Sequence, residues 1–161
     1  AWADGKPMEV SKFPAQIAFN LLPHVDVFME NGYTKEEMKM VNETRKIMAA
    51  PDMGISATCV RVPVLRAHSE AIWIETEKKL TPADARKIFK KAPGIVLQDK
   101  PEAGGYPMPW YVSETMETYV GRIRDDISCE NGLTFWVVAD QLYKGAALNS
   151  IQIAEVLIKG Q

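Results

Sequence analysis

Three basic side chains lie close together where the chain passes from one apolar segment to the next. Arg61, Arg66 and His68 flank Pro63, which cannot donate a ladder hydrogen bond and therefore marks an edge, a bulge or a bend. Arginine recognises anions, and histidine transfers protons near neutral pH. This grouping indicates a place for anion recognition and proton transfer, but the same residue types also suit an ordinary solvated strand end.

A second group of charged residues falls at helical spacing. Thr34 and Glu37 form the pattern of a capping box, which predicts that a helix begins here and runs over 34–49. Spacings of three and four place four charged side chains on one face of it: Glu36, Lys39, Glu43 and Lys46. Taken alone, the pattern favours alternating charges on a solvated helix face.

The remaining elements must position these groups. Runs rich in β-branched and aromatic residues predict strands at 16–22, 57–62, 71–75, 95–97, 118–127 and 133–139. The last two strands flank Asn131-Gly132, which is a hairpin signal. Thr81-Pro82 opens a further helix, a loop rich in proline and glycine covers 101–109, and a final helix is predicted over 146–159. Such a pattern predicts an α+β fold, with a largely antiparallel or mixed sheet and helices on one face.

Composition limits the classes of function. A chain of 161 residues can form one domain with a real core. Its net charge of −2 gives no sign of binding to nucleic acid, and no apolar run is long enough to span a membrane. Cys59 and Cys129 lack metal-ligand spacing, and with no signal peptide in the sequence we expect reduced thiols in the cytoplasm. The chain opens without an initiator methionine, so we expect a fragment or a processed product.

Several longer motifs resemble one enzyme family. The run Ser-Ala-Thr-Cys-Val-Arg-Val-Pro-Val occupies 56–64 and is followed by His-Ser-Glu at 68–70. Further matches, in the same order, occupy 17–20, 30–40, 120–124 and 140–147. Together they resemble the C-terminal domain of aspartate-semialdehyde dehydrogenase. This resemblance implies a fold like the C-terminal domain of glyceraldehyde-3-phosphate dehydrogenase, carrying catalysis and dimerisation.

The resemblance also implies a reaction and roles for five residues. Enzymes of the family reduce aspartyl-4-phosphate with NADPH, on the route to lysine, methionine, threonine and isoleucine. His68 resembles the acid/base histidine, and Arg61 the arginine that binds the substrate carboxylate. Glu36 resembles the residue that faces the substrate ammonium, and Lys39 the one that faces the phosphate. Gln141 resembles a residue near the nicotinamide cofactor.

Two features of the family do not occur in this sequence. No glycine-rich dinucleotide-binding motif follows a predicted strand, and no Asn-Cys-Thr motif supplies the nucleophilic cysteine. Cys59 falls inside a predicted strand and reads as a small buried hydrophobe, while Cys129 follows a turn and is expected to be inert. We therefore expect NADP to be bound mainly by an N-terminal domain outside this chain, and this chain alone to be inactive.

The resemblance predicts the partners as well. We expect a homodimer or homotetramer that takes a small-molecule substrate, with no metal, no nucleic acid and no membrane partner. The final helix, 146–159, is expected to pack toward the cofactor domain. The alternative is a dimerisation module that performs no catalysis.

Overall fold

The computed structural model describes residues 2–160, which divide into two compact units. The first unit ends at Pro63 and the second begins at Val64. Arg61, Glu36 and Lys39 belong to the first unit, whereas His68 and Gln141 belong to the second.

The first unit contains one long helix, α1 (Lys35–Ile47). The predicted capping box is confirmed: Thr34 Oγ1 accepts a hydrogen bond from the Glu37 N–H, and the Glu37 carboxylate accepts one from the Thr34 N–H. Val41 is buried on its inner side. The only other helical segment described in this unit is a short 3-10 turn, Trp2–Asp4.

The strands predicted at 16–22 and 57–62 do not form. Leu22 and Arg61 make one isolated antiparallel bridge, and a turn occupies residues 18–19 of the first segment. Phe19 has φ near +59°, a left-handed conformation outside the β region. Pro23 and Pro63 follow the bridged residues closely, and because proline lacks an N–H the pairing cannot extend past them. High β-propensity was therefore misleading here.

The second unit is built on a four-stranded sheet in the order β1-β4-β3-β2. Its strands are β1 (His68–Glu75), β2 (Ile95–Leu97), β3 (Thr118–Asp125) and β4 (Gly132–Ala139). β4 pairs antiparallel with both β1 and β3, and β2 pairs parallel with β3, so the sheet is mixed. The predicted α+β class is confirmed.

Two apolar clusters cover the sheet. Helix α2 (Pro82–Lys91), capped by Thr81, places Ala85 against Val120, Ile123 and Leu133. Alternate strand residues face the opposite side, where Val138 packs with Ala67 and with Val112 of the four-residue helix α3 (Pro109–Val112). The longer helix therefore lies on one face, as predicted, and α3 adds a short cover on the second.

A glycine lies at the start of a bulge in the β3–β4 hairpin. The register shifts between Gly121 and Arg124, and a Cβ atom at Gly121 would collide with the Gln98 carbonyl oxygen. Gly121 therefore allows the close approach of the β2 segment to β3.

The chain ends in α4 (Leu148–Lys159), which follows a π-helical segment, Tyr143–Ala147. The predicted helix at 146–159 is confirmed, beginning two residues later. None of its residues is buried, and Leu157 and Ile158 are among the most exposed apolar side chains of the unit. None of the helices described in residues 2–160 has the length and the apolar composition of a membrane-spanning segment.

Candidate functional site

His68 opens β1 and is exposed. Its imidazole makes no hydrogen bond to any residue that the structure describes. The residue before it, Ala67, is buried and has φ near +74°. A left-handed conformation at a residue other than glycine costs about 1–3 kcal/mol and persists only where neighbouring contacts hold it. The backbone that presents His68 is therefore held in an unusual conformation.

Gln141 supplies one of the contacts that hold it. Its side-chain Oε1 accepts a hydrogen bond of 2.9 Å from the Ala67 N–H. Because the Ala67 group is a donor, the atom facing it must be the amide oxygen, which fixes the orientation of the amide. The Nε2 group then has no hydrogen-bond partner among residues 2–160, and it can only donate. The structure thus brings together two of the predicted site residues, His68 and Gln141, through Ala67.

Arg66 has a different role from the one its position in the sequence indicated. Its Nε lies 2.6 Å from Oδ2 of Asp140, its Nη1 lies 3.4 Å from Oε1 of Glu114, and its guanidinium covers the Tyr143 ring at 5.1 Å. The guanidinium is therefore engaged with groups of the protein itself. It is a structural contact rather than an open site for an anion.

Asp140 is fully buried directly after β4. Burial by itself would raise the pKa of this carboxyl group. Hydrogen bonds from the N–H groups of Glu114, at 2.7 Å, and Leu142, at 2.9 Å, together with the Arg66 guanidinium, outweigh burial and hold the pKa below its ordinary value. Asp140 is therefore a buried anion whose oxygens are all used.

In the first unit, the two predicted substrate contacts on α1 pair with each other. Lys39 Nζ lies 3.0 Å from Oε2 of Glu36, and both side chains are partly exposed. The hydrogen bond to Glu36 and its negative charge raise the pKa of Lys39. An exposed pair of this kind contributes little to stability, so a ligand can separate the two charges at small cost.

Arg61 is half-buried, and its guanidinium covers the Phe13 ring at 5.0 Å. Its backbone N–H and C=O both bond to Leu22, at 2.8 and 3.1 Å. Stacking on an aromatic face leaves the edge of the guanidinium available for hydrogen bonds. The guanidinium makes no hydrogen bond to the residues described, so its fork of donors is open for a carboxylate.

A buried carboxylate links these first-unit groups. Glu37 Oε2 accepts from the Thr34 N–H at 2.7 Å, and Oε1 accepts from the Cys59 N–H at 2.9 Å. These hydrogen bonds lower the pKa of Glu37, and the one from the Thr34 N–H has the largest effect. The Glu37 side chain thereby ties the start of α1, which carries Glu36 and Lys39, to the segment that carries Arg61.

Two contributions were missed from the sequence. Glu37 was predicted as a capping residue, but its second partner, Cys59, is 22 positions away. Asp140 drew attention only through the family motif. One signal was available: an aspartate that directly follows the apolar strand Gly132–Ala139 is a charge at the edge of a core, and such a charge needs partners.

Comparison with known protein families identifies the family of this chain. The family described as semialdehyde dehydrogenase, dimerisation domain, matches residues 2–144. The match covers most of the chain, and we conclude that the chain belongs to this family.

Proteins that are similar in sequence and in structure support this family assignment. The chain is 56% identical over 160 residues to aspartate-semialdehyde dehydrogenase of Aquifex aeolicus, covering 99% of this chain and 47% of that protein. The crystal structure of aspartate semialdehyde dehydrogenase II from Vibrio cholerae matches with a TM-score of 0.93 at 43% identity, over 98% of this chain and 47% of that one. That enzyme has also been solved complexed with ASA.

A more distant enzyme shows the fold alone. Aspartate semialdehyde dehydrogenase from Candida albicans, solved with NADP, is 24% identical and matches with a TM-score of 0.70 over 88% of this chain and 45% of that one. The chain thus spans about half the length of the relatives that it matches.

Proposed function

We propose that this chain is the catalytic and dimerisation part of an NADP-dependent aspartate-semialdehyde dehydrogenase. The complete enzyme would convert aspartyl-4-phosphate to aspartate-4-semialdehyde and phosphate, within cytoplasmic synthesis of lysine, methionine, threonine and isoleucine. The observation that carries the proposal is the tie through Glu37, which holds the segment of Arg61 to the helix of Glu36 and Lys39.

The charges on these two segments match the substrate. Aspartyl-4-phosphate carries a carboxylate, an ammonium group and a phosphate. Arg61 offers an open fork of donors for the carboxylate, Glu36 an anion for the ammonium group, and Lys39 a cation for the phosphate. Because Glu36 and Lys39 neutralise each other without ligand, a substrate that bears both charges replaces one ion pair with two.

The reaction needs a thiolate and a proton carrier in addition. A cysteine outside this chain would attack the acyl carbon and release phosphate, and NADPH, when bound, supplies a hydride to reduce the resulting thioester. His68 would remove the thiol proton and return a proton when the thiolate leaves. Gln141, with its amide oxygen fixed by Ala67, would present its Nε2 donors to the nicotinamide carboxamide.

Two surfaces suit the partners implied by this proposal. Large apolar side chains are exposed on the sheet unit, among them Trp73, Trp110 and Tyr111, which suits a second subunit in a dimer or tetramer. The exposed apolar side chains of α4 suit coverage by the cofactor domain.

Enzyme kinetics test the proposal. The protein from the complete reading frame should reduce NADP in the presence of aspartate semialdehyde and phosphate, and the 161-residue chain should show no turnover. Sedimentation should show that both self-associate. A complete enzyme that does not oxidise aspartate semialdehyde but oxidises a different aldehyde would contradict the assigned substrate. Turnover by the 161-residue chain would contradict the need for a nucleophile outside this chain.

A further inference from the structure

Two residues other than glycine adopt left-handed conformations next to the same buried carboxylate. Ala67 has φ near +74° and Glu114 has φ near +69°. Glu114 donates its N–H to Asp140 at 2.7 Å, and Ala67 follows Arg66, whose Nε lies 2.6 Å from the same Oδ2 atom. Each such conformation costs about 1–3 kcal/mol unless the surroundings impose it. Asp140 is the group that the two have in common.

Asp140 also holds the segment that carries Gln141. Its Oδ1 accepts from the Leu142 N–H at 2.9 Å, which closes a tight turn around Gln141. From this turn the Gln141 side chain reaches back to the Ala67 N–H. One carboxylate therefore fixes both ends of the Ala67–Gln141 hydrogen bond: the Arg66 end through an ion pair and the Gln141 end through a turn.

We propose that Asp140 and Arg66 are positioning residues, which fix the backbone at Ala67 so that His68 and Gln141 are presented together. This inference rests on the proposed function, in which His68 and Gln141 serve the same reaction. Neither side chain needs to touch substrate or cofactor, because the Arg66 guanidinium is occupied by Asp140, Glu114 and Tyr143 and the Asp140 carboxylate is fully buried.

The second unit contains a matched control. Asp99 has a nearly buried carboxylate, its Oδ2 lies 2.7 Å from Nε of Arg86, and its Oδ1 accepts the Ile123 N–H at 3.3 Å. This pair joins α2 to the bulged part of β3 and contacts neither His68 nor Gln141. Asp99→Asn and Asp140→Asn therefore remove the same charge from the same kind of pair, and we expect only the second variant to affect the Ala67 segment.

Steady-state kinetics on the complete enzyme compare these variants. Asp140→Asn should lower kcat roughly 10- to 100-fold with little change in KM, since a displacement of about 1 Å can cost 10²-fold. Asp99→Asn should keep kcat within a factor of two once activity is expressed per folded molecule. If the two variants lose kcat only in proportion to unfolded protein, Asp140 is merely structural and the inference is wrong.

A second readout does not depend on activity. The 161-residue chain contains two histidines, so in NMR spectra of this chain the ring signals of His24 and His68 can be followed separately. Asp140→Asn should shift the His68 ring and Ala67 amide signals and leave those of His24 unchanged, whereas Asp99→Asn should leave all three unchanged. Unshifted His68 and Ala67 signals in folded Asp140→Asn would overturn the inference.

Arg66→Lys serves where Asp140→Asn does not fold. The lysine keeps a cation near Asp140 but loses the planar group that covers Tyr143, so the same NMR signals should shift and kcat should fall while KM changes little. Unchanged kcat and signals would again overturn the inference. A wild-type enzyme inactive on aspartate semialdehyde, by contrast, would contradict the proposed function and leave the NMR result to decide the positioning role.

Discussion

The two units of this chain fix their candidate site residues in different ways. In the second unit a four-stranded sheet with packed clusters on both faces carries His68 at a strand start. In the first unit no strand forms among residues 2–63, and the segment that carries Arg61 is tied to α1 through Glu37. Both units nonetheless use a buried carboxylate that accepts backbone N–H groups, namely Asp140 and Glu37.

We expect the two units to contribute differently to the reaction. The residues expected to bind the substrate by charge lie in the first unit, and the expected acid/base residue lies in the second. Changes in the first unit should therefore affect affinity most, and changes at His68 should affect turnover most.

The largest expected effect belongs to His68. In the complete enzyme, His68→Ala should lower kcat by roughly 10²–10⁴-fold, which is the usual contribution of a general acid or base, and should change KM little. Steady-state assays measure both constants. His24→Ala is the control, since His24 stacks on Phe28 in the first unit and has no proposed role. A near-normal kcat in His68→Ala would mean that His68 is an ordinary solvated residue at a strand end.

The next effect concerns the packed sheet. Leu133 of β4 is almost fully buried in the cluster that contains Ala85 and Val120, so Leu133→Ala should lower the free energy of unfolding by about 2–5 kcal/mol. Urea denaturation followed by tryptophan fluorescence measures this value. Leu65→Ala, at a side chain that is 93% exposed, should change the value by less than about 0.5 kcal/mol. Equal effects at the two positions would mean that the sheet does not support the second unit as described.

The same division explains what the sequence could and could not predict. Runs rich in β-branched and aromatic residues predicted strands β1, β3 and β4, and in the sheet these residues contribute to apolar clusters on both faces. At 57–62 the same β-branched residue types have no neighbouring strand, and the Cys59 N–H donates to the Glu37 carboxylate instead of to a ladder partner. Propensity reports the preference of a segment and not whether a partner strand exists.

The site residues show a similar limit. Motif resemblance selected His68, Arg61, Glu36, Lys39 and Gln141. The residue types alone, however, grouped Arg66, which is paired with Asp140, together with Arg61, whose donors are open. That distinction depends on contacts across 74 positions between Arg66 and Asp140, and no local pattern encodes them. The left-handed conformation of Ala67 could not be predicted either, because alanine, unlike glycine, has no preference for positive φ that would mark the position in the sequence.

A smaller effect is expected at Arg61. Arg61→Lys keeps the positive charge but loses the bidentate fork, so KM for aspartate semialdehyde should rise about tenfold, with a lesser fall in kcat. Phe13→Leu is the matched variant, because it removes the ring beneath the guanidinium and leaves the charge. It should raise KM by less than Arg61→Lys does. A change confined to kcat would contradict the assignment of carboxylate binding to the first unit.

The smallest expected effect is a difference in pH dependence between the two units. It arises because two backbone N–H groups, one in each unit, have acceptors of different kinds. The Cys59 N–H is held by the Glu37 carboxylate, whereas the Ala67 N–H is held by the neutral amide of Gln141. The backbone N–H groups of Thr34 and Cys59 lower the folded-state pKa of Glu37 below its ordinary value of 4.5. The stability that Glu37 contributes is therefore fully present above that ordinary value and is lost as the pH falls through the lower, folded-state pKa.

Hydrogen exchange, corrected for the intrinsic effect of pH, measures this difference residue by residue. Below pH 4.5 the Cys59 amide should lose protection several-fold as Glu37 takes up a proton, while the Ala67 amide keeps its protection. Glu37→Gln should show reduced Cys59 protection already at pH 7 and little further change on acidification, because the glutamine does not titrate. Parallel loss at Cys59 and Ala67 in the wild type would instead mean that acid opens both units together, and that Glu37 is not the group that holds the Arg61 segment.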